Sequence, residues 1–204
     1  GPKTFTISCL PGGFTSTQSC VKVRCGRCPD DRRLFDRAQR LTSGERVYGD
    51  QCSYRCEQGY TLDSDATSPT TFNTSCLATG QFSQPPTCQP VSCAAPPRIQ
   101  HTAVASPGAG AAVAYPDVVT YDCLAGFTLT GQAGGATRFS RRCQADGQYS
   151  PGQQCKPVEC GAPPTVANST YPARRLVYQE TVEYACDAGF SVNGSAGAPT
   201  RSVL

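Results

Sequence analysis

Cys88-Gln89-Pro90-Val91-Ser92-Cys93 decides the organisation of this chain, because the stretch has two further copies. The copies read Cys20-Val21-Lys22-Val23-Arg24-Cys25 and Cys155-Lys156-Pro157-Val158-Glu159-Cys160. The first cysteines of successive copies lie 68 and 67 residues apart, and a fixed period of this size indicates an array of repeated units. We call each copy a hinge, since its four inner residues join two units.

The composition favours small crosslinked units over one large core. Of the 204 residues 38% are hydrophobic and none is Trp or Met, whereas 14 are cysteine. Such cysteine-dense chains are typical of secreted proteins, in which disulfides replace the core that a short unit cannot build. We therefore expect an extracellular or cell-surface protein of the secretory pathway.

Charge and hydropathy exclude two classes of partner. The net charge of +3 is too small and too dispersed to favour nucleic acid. No apolar run approaches the roughly 20 residues of a membrane span, so we expect no direct membrane insertion.

Between the hinges a tyrosine, cysteine and glycine pattern occurs three times, as Tyr54–Tyr60, Tyr121–Phe127 and Tyr184–Phe190. β-Branched and aromatic runs such as Val118–Cys123 are typical of strands, and turn formers crowd the gaps between them. The pattern predicts all-β units. In register, residues 1–22 are the C-terminal half of a unit, 23–89 and 90–156 are complete units, and 157–204 are an N-terminal half.

The order of these signals resembles the sushi, or complement control protein, module. The matching features are C-x-x-P at Cys93–Pro96, the Tyr-x-Cys-x-x-Gly-Phe/Tyr pattern, a third cysteine, and Gly-x-Phe/Tyr-Ser shortly before a fourth. The resemblance covers essentially the whole chain and implies small disulfide-rich modules in an elongated tandem array. Phe14, Phe82 and Tyr149 replace the family's usual tryptophan, so a smaller ring must fill the core beside one disulfide.

In that family the first cysteine of a module bonds to the third and the second to the fourth. The resemblance thus implies four pairs: Cys25 with Cys76, Cys56 with Cys88, Cys93 with Cys143, and Cys123 with Cys155. Cys9, Cys20, Cys160 and Cys186 are left with partners outside the segment or in a neighbouring chain.

Cys28 and Cys52 have no counterparts in the other units. We expect a third disulfide between them, closing a loop of about 25 residues that contributes roughly 3 kcal/mol in the chain-entropy model. The alternative is a four-thiolate zinc site of Cys25, Cys28, Cys52 and Cys56. The disulfide is favoured because the module pattern already pairs Cys25 and Cys56 and the compartment is oxidising.

The stretch from Lys22 to Arg46 holds eight Lys or Arg against four acids. Leu34, Ala38 and Leu41 fall at helical spacing after a candidate cap at Asp31, which predicts a helix of one or two turns. The arginines form a candidate basic surface for a sulfated or sialylated glycan or an acidic partner, and the alternative is a solvated, partly self-neutralised loop. The candidate residues are Arg27, Arg32, Arg33, Arg37 and Arg40.

Two kinds of modification site are predicted. Asn73, Asn168 and Asn193 each begin an N-x-S/T acceptor for an N-linked glycan. A segment rich in Ser, Thr and Pro predicts O-glycosylation at Thr67, Ser68, Thr70 and Thr71.

Nothing in the sequence favours catalysis, and we expect no metal and no cofactor. The single histidine, His101, lies in a loop without a recognisable nucleophile elbow, and we interpret it as a surface residue. Asp63 and Asp65 are interpreted as a solvated loop, because two carboxylates alone are too few for calcium.

Three functions fit these observations. The leading hypothesis is a segment of an extracellular glycoprotein that serves as a non-catalytic scaffold for adhesion or protein recognition, with other extracellular proteins or glycans as partners. The alternative is the repeating subunit of an extracellular filament or surface coat, in which copies of the chain join head to tail through completed modules. The third is a complement-regulator-like binding protein.

Overall fold

All regular elements in the described part of the chain are β-strands. The computed structural model describes residues 1–30, 32–33, 35–196 and 201–203, the last of these by its backbone alone. Up to the second hinge the strands are β1 (Cys9–Leu10), β2 (Gly13–Phe14), β3 (Arg24–Arg27), β4 (Ala38–Arg40), β5 (Glu45–Val47), β6 (Gln51–Cys56), β7 (Tyr60–Thr61), β8 (Thr71–Ser75) and β9 (Gln89–Pro90).

The remaining strands belong to two further modules. From the second hinge to the third they are β10 (Ser92–Cys93), β11 (Thr102–Ser106), β12 (Val113–Ala114), β13 (Val118–Cys123), β14 (Phe127–Thr128), β15 (Arg138–Arg142) and β16 (Lys156–Pro157). Those that follow are β17 (Glu159–Gly161), β18 (Ser169–Thr170), β19 (Leu176–Val177), β20 (Glu183–Cys186) and β21 (Arg201–Val203).

Each of these three modules has the same antiparallel sheet, with the Tyr-x-Cys strand at its centre. The sheets have the orders β4-β6-β8, β11-β13-β15 and β18-β20-β21. The central strands alternate, so that Cys52, Tyr54 and Cys56 of β6 are buried while Gln51 and Arg55 face solvent. This period of two is the reason why the pattern folds as a strand.

The helix predicted after Asp31 is wrong for the described part of that segment. Ala38–Arg40 form the edge strand β4, in which Ala38 pairs with Cys56 and Arg40 with Tyr54. Pairing satisfies the backbone groups along one side of β6, and Ala38 packs against the core while Leu41 is 45% exposed. Asp31 and Leu34 lie outside the described residues.

Each complete module is closed over its own small core. In the first, the core consists of Cys28, Phe35, Cys52, Tyr54, Cys56, Phe72 and Cys88. In the second it consists of Cys93, Val113, Val119, Tyr121, Phe139, Cys143 and Cys155. The rings that replace the family's tryptophan, Phe82 and Tyr149, pack against these cores half-buried, whereas Phe14 is 72% exposed.

One hydrogen bond recurs in all three modules and explains why a tyrosine begins the Tyr-x-Cys pattern. Its hydroxyl donates to a proline carbonyl at the start of the module: Tyr54 to Pro29 at 2.9 Å, Tyr121 to Pro97 at 3.1 Å, and Tyr184 to Pro164 at 2.6 Å. Burial raises the pKa of Tyr54 and Tyr121, so both hydroxyls stay protonated as donors at physiological pH.

We expect Tyr121→Phe to lower the free energy of unfolding by about 1 kcal/mol, because the Pro97 carbonyl loses its donor inside the module. Chemical denaturation of the purified chain measures the change in the free energy of unfolding, and hydrogen exchange of the β13 amides assigns it to this module. Tyr48→Phe is the matched control, since that side chain is 50% exposed. Equal effects of the two substitutions would contradict the role of the bond.

Candidate functional site

The structure joins ten cysteines in five disulfides. Their Cα atoms lie 5.8 Å apart in Cys25–Cys76 and Cys28–Cys52, 5.7 Å in Cys56–Cys88 and Cys123–Cys155, and 5.9 Å in Cys93–Cys143. The four sulfurs of the alternative zinc site are all in these bonds, so none is available as a thiolate ligand. Among the described residues no cluster of His, Cys, Asp or Glu has the arrangement of a metal site.

Four cysteines carry no disulfide within the described structure. Cys9, Cys20 and Cys160 are exposed, and Cys186 is half-buried. Exposed thiols in an oxidising compartment are free to form disulfides with other molecules.

The candidate basic surface has mixed charge. Arg37 Nη1 lies 3.6 Å from Glu57 Oε2, and Arg40 Nη2 lies 3.3 Å from Asp30 Oδ2. Arg40 also donates to the Cys28 carbonyl at 2.8 Å. The four residues of these two ion pairs line an open groove of about 610 Å³. The groove is also lined by Arg32, Phe35, Asp36, Ala38 and Gln39.

The other members of that surface are Arg27, Arg32 and Arg33, and all three are exposed. Arg27 is the last residue of β3 and pairs with Glu45 of β5, so an acidic residue lies directly across the strands from it. The charges of the segment could be counted from the sequence, but their pairing could not. Asp30, which faces Arg40, belongs to the same segment, whereas Glu57, which faces Arg37, follows β6. The groove therefore offers both signs of charge to a partner.

The predicted glycan acceptors are all exposed. Asn73 lies on β8 opposite Ser53, and Asn168 has a left-handed backbone with φ of 55°. Asn193 accepts a hydrogen bond from the Ser195 amide at 3.1 Å, which fixes its acceptor sequence in a turn.

The Asp63 to Thr71 loop satisfies its own carboxylates. The Thr67 hydroxyl donates to Asp65 at 2.8 Å, and the Ser68 hydroxyl donates to Asp63 at 2.7 Å. Hydrogen bonds from the Thr67 amide and hydroxyl lower the pKa of Asp65. Of the predicted O-glycan acceptors, Thr67 and Ser68 thus have engaged hydroxyls, and Thr70 and Thr71 are exposed.

The other shifted pKa values have equally local causes. The Arg138 guanidinium lowers the pKa of Asp122 by donating two hydrogen bonds to its carboxylate across β13 and β15. The Val177 amide and then Arg174 lower the pKa of Glu180. The carboxylates of Asp65, Asp122 and Glu180 thus owe their lowered pKa values to hydrogen bonds within a turn or an ion pair. Shifts with such causes are typical of structural interactions.

The hinge Cys155–Cys160 is bonded to the modules on both sides. Its β16 pairs with β14 of the preceding module, and β17 pairs with β19 of the following one. Between them Val158 donates its amide to the Gly126 carbonyl at 2.9 Å and accepts the Tyr178 amide at 2.8 Å. The same tyrosine amide bond is made by Tyr48 to Val23 and by Tyr115 to Val91.

Side chains close the same joint. The Tyr178 ring lies directly over Gly126, where a Cβ atom would overlap it, and it meets the edge of Phe127 at a centroid distance of 5.7 Å. His101 is exposed and stacks on Phe127 at 4.1 Å. A glycine at position 126 is thus required twice, by its φ of 80° and by the ring above it.

The described residues include no helix long and apolar enough to cross a membrane.

Comparison with known proteins identifies relatives that cover most of the chain. It is 31% identical over 192 residues to the mouse "Sushi, von Willebrand factor type A, EGF and pentraxin domain-containing protein 1", covering 92% of this chain and 5% of that protein. Against complement control protein C3 of vaccinia virus (strain Western Reserve) it is 28% identical over 202 residues, 93% of this chain and 67% of the viral protein. Against mouse C4b-binding protein it is 30% identical over 179 residues, covering 87% and 35% of the two chains.

The family comparison addresses the modules themselves. The model of the sushi repeat (SCR repeat) matches residues 25–88, 93–157 and 160–202. Its three matches begin at the last cysteine of each hinge, and together they span most of the sequence. The chain belongs to the sushi repeat family.

Proposed function

We propose that the chain is part of an extracellular glycoprotein in which tandem sushi modules act as a non-catalytic scaffold for adhesion or protein recognition. The observation that carries the proposal is the closure of each complete module over its own disulfides and core. The side chains outside these cores, including the charged groove, are free to meet a partner. Relatives named for complement control and C4b binding support the same class of function.

The charges of the groove favour a protein partner over a sulfated glycan. In the free chain Arg37 and Arg40 already face Glu57 and Asp30, so a polyanion would have to displace both carboxylates. A protein surface with charges of both signs can complement the groove without that cost.

We expect the secreted chain to bind cells through surface proteins. Fluorescently labelled chain, produced in eukaryotic cells, should bind target cells in flow cytometry after heparinase treatment and lose binding after trypsin treatment. Arg32→Glu should reduce binding several-fold by reversing an exposed charge of the groove, as is common for charges at an interface rim.

Arg98→Glu, which reverses an exposed charge in the other complete module, is the control. Equal loss with both variants would argue against the groove. Loss after heparinase alone would make a sulfated glycan the partner. Peptide mass spectrometry of the same material measures glycan occupancy at Asn73, Asn168 and Asn193.

A second candidate function is complement control. It is supported by the similarity to the viral complement control protein, which covers 93% of this chain. Surface plasmon resonance with immobilised C4b tests this function. Absence of saturable binding by the intact chain would rule out complement control through C4b.

The filament alternative is supported by the four cysteines outside disulfides. We expect chains joined through Cys9, Cys20, Cys160 and Cys186 to give a ladder in non-reducing electrophoresis that collapses under reduction. Serine at Cys9 and Cys20 should remove the ladder while the five internal bonds remain. A monomer band without reductant would contradict covalent joining.

A further inference from the structure

One position with a left-handed backbone occurs at the same place in three modules. The residues are Arg37, His101 and Asn168, with φ of 57°, 58° and 55°. In each case the carbonyl accepts the backbone amide of the residue that follows the central Tyr-x-Cys strand. The distances are 2.7 Å from Glu57, 2.9 Å from Leu124 and 3.0 Å from Asp187. The three residues are therefore structurally equivalent, although their side chains differ.

In two of the modules the side chain at this position covers an aromatic ring. The Arg37 guanidinium lies 5.3 Å from the centroid of Tyr60, and the His101 ring stacks on Phe127 at 4.1 Å. Both covered rings are half-buried. The ring in each case is the last residue of the Tyr-x-Cys-x-x-Gly-Phe/Tyr pattern, so ring and cover are brought together by the same local fold.

The third module has the ring but a shorter side chain at the covering position. Phe190 is 52% exposed, and it lines an apolar pocket of about 310 Å³ with Asn168, Val166 and Val192. An asparagine side chain lacks both the reach of arginine and the flat ring of histidine. Asn168 differs from the other two residues in a second way, since it begins the acceptor sequence Asn168-Ser169-Thr170.

We propose that an N-acetylglucosamine linked to Asn168 packs on Phe190 and takes the place that Arg37 and His101 occupy in the other modules. This inference rests on the proposed N-glycosylation of Asn168. The sugar has one face of C–H groups, whose partial positive charge suits the negative face of an aromatic ring, and its area covers apolar surface that asparagine leaves in water. The first sugar is tethered at the rim of the pocket, so little freedom is lost when it settles on the ring.

The test uses the full chain secreted by eukaryotic cells grown with labelled N-acetylglucosamine and trimmed to one sugar per site with an endoglycosidase. In NMR spectra we expect the sugar protons at Asn168 to lie upfield of those at Asn73, because they sit over an aromatic face. Phe190→Leu keeps an apolar side chain but removes the ring, and it should return the Asn168 signals to the positions seen at Asn73. Phe14→Leu, which removes a 72% exposed ring elsewhere, should leave them shifted.

Two results would overturn the inference, and they can be told apart. Matching sugar signals at Asn168 and Asn73 would show a glycan that does not contact Phe190, and glycosylation itself would stand. An unmodified Asn168 in peptide mass spectrometry would remove the glycan and the packing together. Neither result bears on the cell-binding experiment, which tests recognition through the groove.

Discussion

Replacing Cys28 and Cys52 together by alanine is expected to lower the free energy of unfolding of the sushi module at residues 25–88 by about 3 kcal/mol. The bond closes a loop with a sequence separation of 24, and both cysteines are almost fully buried, at 2% and 0% exposure. Losing it releases chain entropy in the unfolded state and removes packing around Phe35. A small module has little other stabilisation with which to offset the loss.

Native-state hydrogen exchange measured by mass spectrometry is the suitable assay, because it reports each module separately. Exchange of the β6 amides should become roughly a hundredfold faster, the factor that corresponds to about 3 kcal/mol. Exchange of the β13 amides in the other complete module provides the internal control. Unchanged β6 exchange, with the other four bonds intact by peptide mapping, would mean that the extra bond is not stabilising.

Gly126→Ala is expected to disrupt the joint at the Cys155–Cys160 hinge, at a cost of roughly 2–3 kcal/mol. The new Cβ atom would overlap the Tyr178 ring, and the backbone has φ of 80°, a conformation that alanine adopts only with strain. The ring must leave Gly126, and its edge contact with Phe127 is lost with it. The Tyr178 amide, which bonds to Val158, should exchange faster.

Gly189→Ala is the matched control for this substitution. Gly189 occupies the same place in the following module with φ of 87°, and nothing described lies within 4 Å of the Cβ atom that alanine would add there. It should therefore show the backbone strain alone, about 1 kcal/mol, and leave the Tyr178 amide protected. Equal effects at the two glycines would mean that the ring contact contributes nothing to the joint.

The family and the central strands could be predicted from the sequence because their signals are local and repeated. Tyr121 and its two equivalents stand at fixed spacing from a cysteine and a glycine, and alternation within β13 follows from a period of two. Three copies in register also reveal what is unusual, which is how Cys28 and Cys52 stood out. A single module would have revealed neither the repeat nor the unusual pair of cysteines.

The secondary structure between Cys28 and Cys52 could not be predicted from the sequence. Ala38 and Leu41 carry a helical spacing, but the unpaired edge of β6 recruits Ala38–Arg40 as a strand. Tertiary pairing overrides local pattern in so short a segment. Nor did the pattern identify Phe35, whose ring stacks on Tyr54 at a centroid distance of 4.3 Å.

The candidate surface was only half predictable for a related reason. A count of charged residues gives the net charge of the segment. The charge that a partner meets also depends on which carboxylates fold against the arginines. Glu57 follows the central strand and reaches Arg37 from 20 positions along the chain. The covering position of Arg37, His101 and Asn168 was hidden because one backbone conformation is occupied by three chemically unlike residues.

The bonding of the Cys155–Cys160 hinge has a mechanical consequence. Lys156–Pro157 pair with one module, Glu159–Gly161 pair with the next, and Val158 bonds to both. A pulling force applied across this joint therefore acts directly on backbone hydrogen bonds, because the linker has no unpaired residues that could extend first. We expect such a joint to transmit tension from module to module like a stiff coupling, and to lengthen only after those bonds have broken.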